Sequence, residues 1–118
     1  QPARSELITG EINGQQLWQY DLTPEQYRAL AHLVATLHSV FPRIALDSPR
    51  DEAGEVRQDT LSPAEWTSFS GVLGHYHVQS NKIDPGPALQ WDLILDIAKE
   101  LLDNAESESP SAASTEPE

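Results

Sequence analysis

Apolar positions fall into three patterns along the chain. In residues 6–20, ELITGEINGQQLWQY, Leu7 and Ile8 lie before Asn13-Gly14, and Leu17, Trp18 and Tyr20 lie after it. Asn-Gly between two β-favouring runs predicts a hairpin with a type I′ turn, which needs φ > 0 at both central residues. A hairpin alone is marginal in water, so this one is expected to pair with or pack on something else. Between Asp21 and Phe41, the residues Tyr27, Leu30, Val34, Leu37 and Phe41 recur every three or four positions, and Leu33 and Val40 widen the stripe. That spacing predicts an amphipathic helix. Thr23 is its N-cap, Pro24 its first helical residue and Gln26 the third member of a capping box, and Pro42 ends it. Over residues 87–102, Leu89, Leu93, Ile97 and Leu101 make one face, with Trp91, Ile94, Leu95 and Ala98 beside it. A face so broad suits a helix lying on a sheet, with Pro87 at its first position.

The segments between are polar. Residues 45–60, ALDSPRDEAGEVRQDT, form a charged loop of unusual length, either functional or mobile. Ser62-Pro63-Ala64-Glu65 is a second capping box, predicting a short helix through Phe69. Gly71–Gly74 reads as a short buried strand. From Asn104 the chain runs NAESESPSAASTEPE, without a large apolar residue, and is expected to be disordered because nothing offsets its ordering entropy. The organisation is therefore one domain over residues 1–103 and an acidic tail over residues 104–118.

Composition narrows the partners. Nineteen acidic residues against seven basic ones give a formal charge of -12. Phosphate recognition needs a basic surface, so nucleic acid is not expected, and neither is an anionic membrane surface. No apolar run approaches the roughly 20 residues of a membrane span. The chain has no cysteine, which excludes disulfides and thiolate metal sites.

The chemistry concentrates in residues 74–87, GHYHVQSNKIDPGP. A catalytic zinc takes three protein ligands of nitrogen or oxygen type and keeps one position for water. His75, at the end of the expected strand, and Asp84, on a turn stiffened by Pro85 and Pro87, are of suitable type. In extended backbone, residues two apart point the same way, so Lys82 would accompany Asp84 and His77 would accompany His75. Lys82 could then stabilise an oxyanion. His77 could be a further ligand, a substrate contact or a polar wall, with a substrate or supporting role favoured over metal ligation. On spacing alone the plainer reading is favoured: Asp84 caps the last helix and Lys82 is solvated. His32 and His38, six apart on the first helix, point to different faces and are expected to be solvated or beside the core. Trp18, Trp66 and Trp91 are read as packing residues, with Trp66 the nearest to a sugar-stacking role. Arg50 and Arg57 are candidate contacts for a peptide.

The stretch GHYHVQSNKIDPGPALQWD resembles the closing signature of the zinc-dependent N-acetylmuramoyl-L-alanine amidases, the type related to animal peptidoglycan-recognition proteins. The matching residues are Gly74-His75, Lys82, Asp84-Pro85-Gly86-Pro87 and Trp91-Asp92. LTPEQYRALAHLVATLHSVFP is similar to the family's long helix, with its T-x-x-Q-Y opening. The order of elements matches over about residues 5–103, and the specific part is residues 74–92. The resemblance implies an α/β fold: a mixed sheet with helices packed on it, truncated at the N-terminus. It implies Zn2+ as cofactor, with His75 and Asp84 as two ligands, and Lys82 as the residue that steadies the tetrahedral oxyanion. The reaction implied is hydrolysis of the amide between N-acetylmuramic acid and L-alanine, on peptidoglycan or a muropeptide. The family's first histidine ligand and its catalytic glutamate have no counterpart before residue 20 and would lie upstream of Gln1. The piece alone is thus expected to bind zinc weakly, to hydrolyse little and to self-associate through an uncovered apolar face. Two other classes stand beside this: a non-catalytic peptidoglycan-binding module, and a small acidic interaction domain without metal. Compartment is left open among bacterial cytoplasm, periplasm and secretion.

Overall fold

A computed structural model describes residues 1–115, with side chains as far as Ala105. Six elements follow in order: β1 (Leu7–Ile12), β2 (Gln15–Tyr20), α1 (Pro24–Val40), α2 (Pro63–Ser68), α3 (His75–Val78) and α4 (Trp91–Thr115). β1 and β2 form an antiparallel hairpin in which Ile12 faces Gln15 and Leu7 faces Tyr20. Asn13 and Gly14 have φ of 50° and 81°, the positive pair that a type I′ turn demands. Both capping boxes form: Thr23 with Gln26 at α1 and Ser62 with Glu65 at α2, each with a proline in the first turn. The Ser/Glu/Ala segment after Asn104, expected to be disordered, continues α4 as far as Thr115, and residues 116–118 lie outside the described residues.

Four expectations need correction. The described residues contain one sheet, of two strands, rather than a larger mixed sheet. α4 packs on α1 and not on a sheet. Tyr27, Ala31, Val34 and Ala35 of α1 meet Ile94 and Ala98 of α4 in the core. Three alanines at that seam let the two helices approach closely. Tyr27, Leu30 and Val34 of the stripe that periodicity predicts thus lie in or against the core, and its C-terminal part and widening residues do not. Leu33, Leu37, Val40 and Phe41 remain exposed.

The other two concern the ends of short elements. Gly71–Gly74 is irregular backbone, and His75 opens a helical turn instead of closing a strand. Gly71 sits against the Asp47 carbonyl, where an added Cβ would come within 2.5 Å, and Val72 N–H donates to that same carbonyl at 2.8 Å. The last helix starts at Trp91 and not at Pro87, because the backbone of residues 88–90 is committed elsewhere. Ala88 N–H donates to Gln19 Oε1, the Ala88 carbonyl accepts from Arg4, and Gln90 N–H donates to the Tyr27 hydroxyl.

The loop over residues 45–60 is structured. Arg50 and Val56 form an isolated antiparallel bridge, and Asp51 Oδ1 accepts from the N–H groups of Ala53 and Glu55. Arg50 then ties the loop to α4 through Asp92 at 2.6 Å. Among the described residues no helix is long and apolar enough to cross a membrane.

Candidate functional site

Residues 74–87 double back on themselves. α3 makes one turn, residues 79–83 reverse the chain, and the Asp84–Pro85 peptide is cis. Tyr76 N–H donates to the Asp84 carbonyl at 3.1 Å and closes the corner. The hairpin holds it from outside. Asn13 Nδ2 donates to the carbonyls of Tyr76 (3.2 Å) and Lys82 (3.3 Å). Gln19 Nε2 donates to the Pro85 carbonyl at 3.1 Å. Gly86 has φ of +90°, and a Cβ there would stand 2.4 Å from Gln19 Oε1, so only glycine fits. At Gly74 an added Cβ would stand 2.7 Å from the Pro85 ring, and that close approach keeps the two arms of the corner together.

This corner brings His75 and Asp84 together. His75 Nδ1 lies 3.3 Å from Asp84 Oδ2, and the two side chains are 42% and 66% exposed, open to an incoming ion. His75 Nε2 is within hydrogen-bonding reach of Gln79 Oε1. Both residues stand at the rim of a cleft of about 360 Å3 whose walls are apolar, among them Leu30, Val72, Leu89 and Ile94. Few polar groups at the mouth of an apolar cleft is the usual build of a small-molecule site.

At 3.3 Å, His75 Nδ1 and Asp84 Oδ2 are within hydrogen-bonding reach of each other. Among the described residues no group of three or more His, Cys, Asp or Glu could hold a metal, so the corner supplies two donors and no third.

The other candidates are placed differently. His77 does not face the way His75 faces, because in a helical turn residues two apart diverge. It is 0% exposed. Its Nδ1 accepts from Gly74 N–H at 2.9 Å and its Nε2–H donates to the Arg57 carbonyl at 2.6 Å. Both ring nitrogens are engaged by backbone groups, so His77 braces the corner against the long loop. Burial pushes its imidazole below the ordinary value, and the hydrogen bond to the Arg57 carbonyl opposes that shift without cancelling it. Lys82 is exposed on the reversing turn rather than in extended backbone. Its carbonyl and N–H are bound to Asn13 and Gln79, and it is not among the residues lining the cleft.

Arg50 and Arg57 are each engaged with two carboxylates, Asp47 and Asp92 for the first, Asp59 and Glu65 for the second. His38 Nδ1 is 2.6 Å from the Ile44 carbonyl, at the end of α1. Trp91 packs α4 onto α3 instead of a sheet, its ring edge-on to Tyr76 with centroids 6.3 Å apart. Gln19 and Asn13, which hold the corner, carry no chemical signal in the sequence beyond the turn preference of Asn13. Comparison with protein-family models, curated proteins and solved structures returns no match to this chain.

Proposed function

We propose that the His75–Asp84 corner is part of a zinc site of the N-acetylmuramoyl-L-alanine amidase type, acting on peptidoglycan or a muropeptide. The observation that carries this is the 3.3 Å approach of two donors of zinc-binding type at the mouth of a cleft. The residue pattern Gly74-His75, Lys82 and Asp84-Pro85-Gly86-Pro87 supports the choice of family. In such a site the bound zinc supplies Lewis acidity toward the scissile carbonyl and lowers the pKa of a water. The chain's own part is to hold the two donors: Asn13 and Gln19 fix the backbone of the corner, and His77 fixes the turn that carries His75. Lys82, on a flexible stem at the exposed turn, is the cation available to a developing oxyanion.

Two donors are fewer than a catalytic zinc requires. That shortfall favours, as second reading, a module that binds peptidoglycan without cleaving it. Calorimetric titration with zinc tests the first reading. Weak binding is expected, weakened by about tenfold or more in both His75→Ala and Asp84→Ala, as loss of one ligand of a small set requires. Zinc affinity indifferent to both substitutions would end the proposal. Peptide released from a muropeptide by the wild type and lost in Lys82→Ala separates the enzyme from the binding module.

A further inference from the structure

Among the described residues no third strand covers the outer edges of the hairpin. Ile12 and Gln15 exchange the hydrogen bonds next to the two-residue turn. In the alternation that follows, Glu11, Thr9 and Leu7 of β1 point their N–H and C=O groups outward, and so do Gln16, Trp18 and Tyr20 of β2. None of these outward groups meets another backbone group outside the hairpin. The corner does not close the β2 edge, because it lies against a face: Pro87 approaches Gly10 of β1 and Pro85 accepts from Gln19 of β2.

The two edges differ in chemistry. β1 carries Glu11 in its outward set and follows Glu6, and charges so placed keep strand edges apart. β2 reads QQLWQY, with no charge, no proline and no glycine, in a chain of formal charge -12. Its register with β1 is unbroken, so no bulge bends the edge away. Uncharged, β-favouring segments of this length pair readily with copies of themselves. Trp18 and Tyr20 share one face of β2 and are 62% and 68% exposed.

We propose that the β2 edge is a dimerisation surface and that its partner is β2 of a second copy, antiparallel about a two-fold axis at Trp18. In that register Trp18 faces its own copy and Gln16 faces Tyr20 of the copy, so each outward N–H and C=O of β2 gains a partner. The aromatic side chains favour a copy over an unrelated strand. Trp18 lies opposite Trp18 of the copy and diagonal to its Tyr20, within reach of aromatic contact, and the rings cover one another. No like charges are brought face to face. The nearest charged residue is Asp21, which is buried and paired with Arg4, and it comes opposite Gln15 of the copy. The pairing also limits itself. It consumes both β2 edges and leaves β1, guarded by Glu11, at each end of the joined sheet, so the symmetry closes at two copies. Neither His75 nor Asp84 takes part, and the inference is independent of the zinc reading.

The test is amide hydrogen exchange of the full chain at micromolar and at millimolar concentration, in the Leu37→Lys background so that the exposed apolar stripe of α1 does not contribute. Exchange at Gln16, Trp18 and Tyr20 is expected to slow by about tenfold or more in the concentrated sample, while Leu7, Thr9 and Glu11 stay unchanged. A second measurement uses the absence of native cysteine. At the two-fold axis the paired Cα atoms stand about 5.5 Å apart, within the span of a disulfide, so Trp18→Cys should oxidise to a covalent dimer. In Gln16→Cys the same atoms are offset by roughly 13 Å along the strand, and no such dimer should form. The copies carry like net charge, so added salt should tighten the association. Exchange at β2 that is indifferent to concentration overturns the inference, and so does protection that appears on β1 instead. Equal oxidation of the two cysteine variants denies the two-fold axis at Trp18 and overturns it as well. Slowing at β2 brought about by an added basic peptide but not by concentration would assign the edge to a partner strand, against a second copy.

Discussion

Asn13 carries more than its turn. Its left-handed backbone serves the hairpin, and its side chain links three distant segments. Oδ1 accepts from Thr60 N–H (2.7 Å) and Thr60 Oγ1 (3.1 Å), while Nδ2 reaches the carbonyls of Tyr76 and Lys82. Asn13→Ala should cost about 2 kcal/mol in urea denaturation, through a strained turn and unpaired polar groups. Asn13→Asp should cost less, because aspartate tolerates the positive φ and keeps the acceptor side. A loss below half a kilocalorie for alanine, roughly the noise of surface changes, would show that the corner does not depend on this residue. The turn role was legible from Asn13-Gly14 alone. The bracing role was not, since its partners are 47 to 69 residues away. His77 teaches the same lesson. As one residue of HYHV it could belong to a strand or a helix, and only the Gly74 and Arg57 contacts decide that it faces inward.

At the scale of elements, capping residues were a better guide than apolar spacing. Thr23, Pro24 and Gln26 mark the start of α1 because each acts within one helical turn. How far the α1 stripe is buried depends on what meets it: Tyr27, Leu30 and Val34 pack toward α4 beside Ala31 and Ala35, whereas Leu37 and Phe41 stay exposed. Ala98→Leu should therefore overpack the seam and lower stability by about 1–3 kcal/mol, whereas Leu37→Ala on the exposed side should change it little. Equal losses from the two would mean that the α1–α4 seam is not where the helices pack. The exposed stripe of Leu33, Leu37, Val40 and Phe41 is an apolar patch of the kind that associates. Concentration-dependent sedimentation is expected for the wild type and should be reduced in Leu37→Lys; a wild type monomeric at all concentrations would refute this.

Across the whole molecule, Asp21 joins four segments. Its buried carboxylate accepts from Arg4 Nε at 2.9 Å, from Gln90 Nε2 at 3.0 Å, from Leu22 N–H and from the Tyr27 hydroxyl. Burial by itself would raise its pKa, but the hydrogen bonds from Arg4, Tyr27 and Leu22 outweigh it and hold the group at about 2, against an ordinary 3.8. Stability from this group is present above pH 3.8 and is lost as pH falls through about 2, worth about 2 kcal/mol in all. His77 acts earlier. Its folded pKa lies below 6.5, so the unfolded chain takes up the proton first and stability begins to fall as pH drops below 6.5. At the alkaline end, burial raises Tyr27 and Tyr76 to about 12 from 10.0, so their contribution is complete below pH 10 and lost as pH rises through 12. Urea midpoints should be flat near neutrality and decline on both sides. His77→Gln should remove the decline that starts at 6.5, and Asp21→Asn the one below 3.8; an unaltered acid limb in both would mean that other groups govern it.

The sequence by itself determined what is local: the type I′ turn at Asn13-Gly14, the two capping boxes, and the presence of His75 and Asp84 on one short segment. These rest on backbone preferences and hydrogen bonds spanning a few residues. Only the tertiary structure decided that α4 lies on α1, that His77 turns inward while His75 stays out, and that the two donors stand 3.3 Å apart. Those outcomes depend on the small residues of a helix seam, and on Asn13 and Gln19 reaching a corner more than 60 residues away. Contacts at such separation leave no periodic trace along the chain.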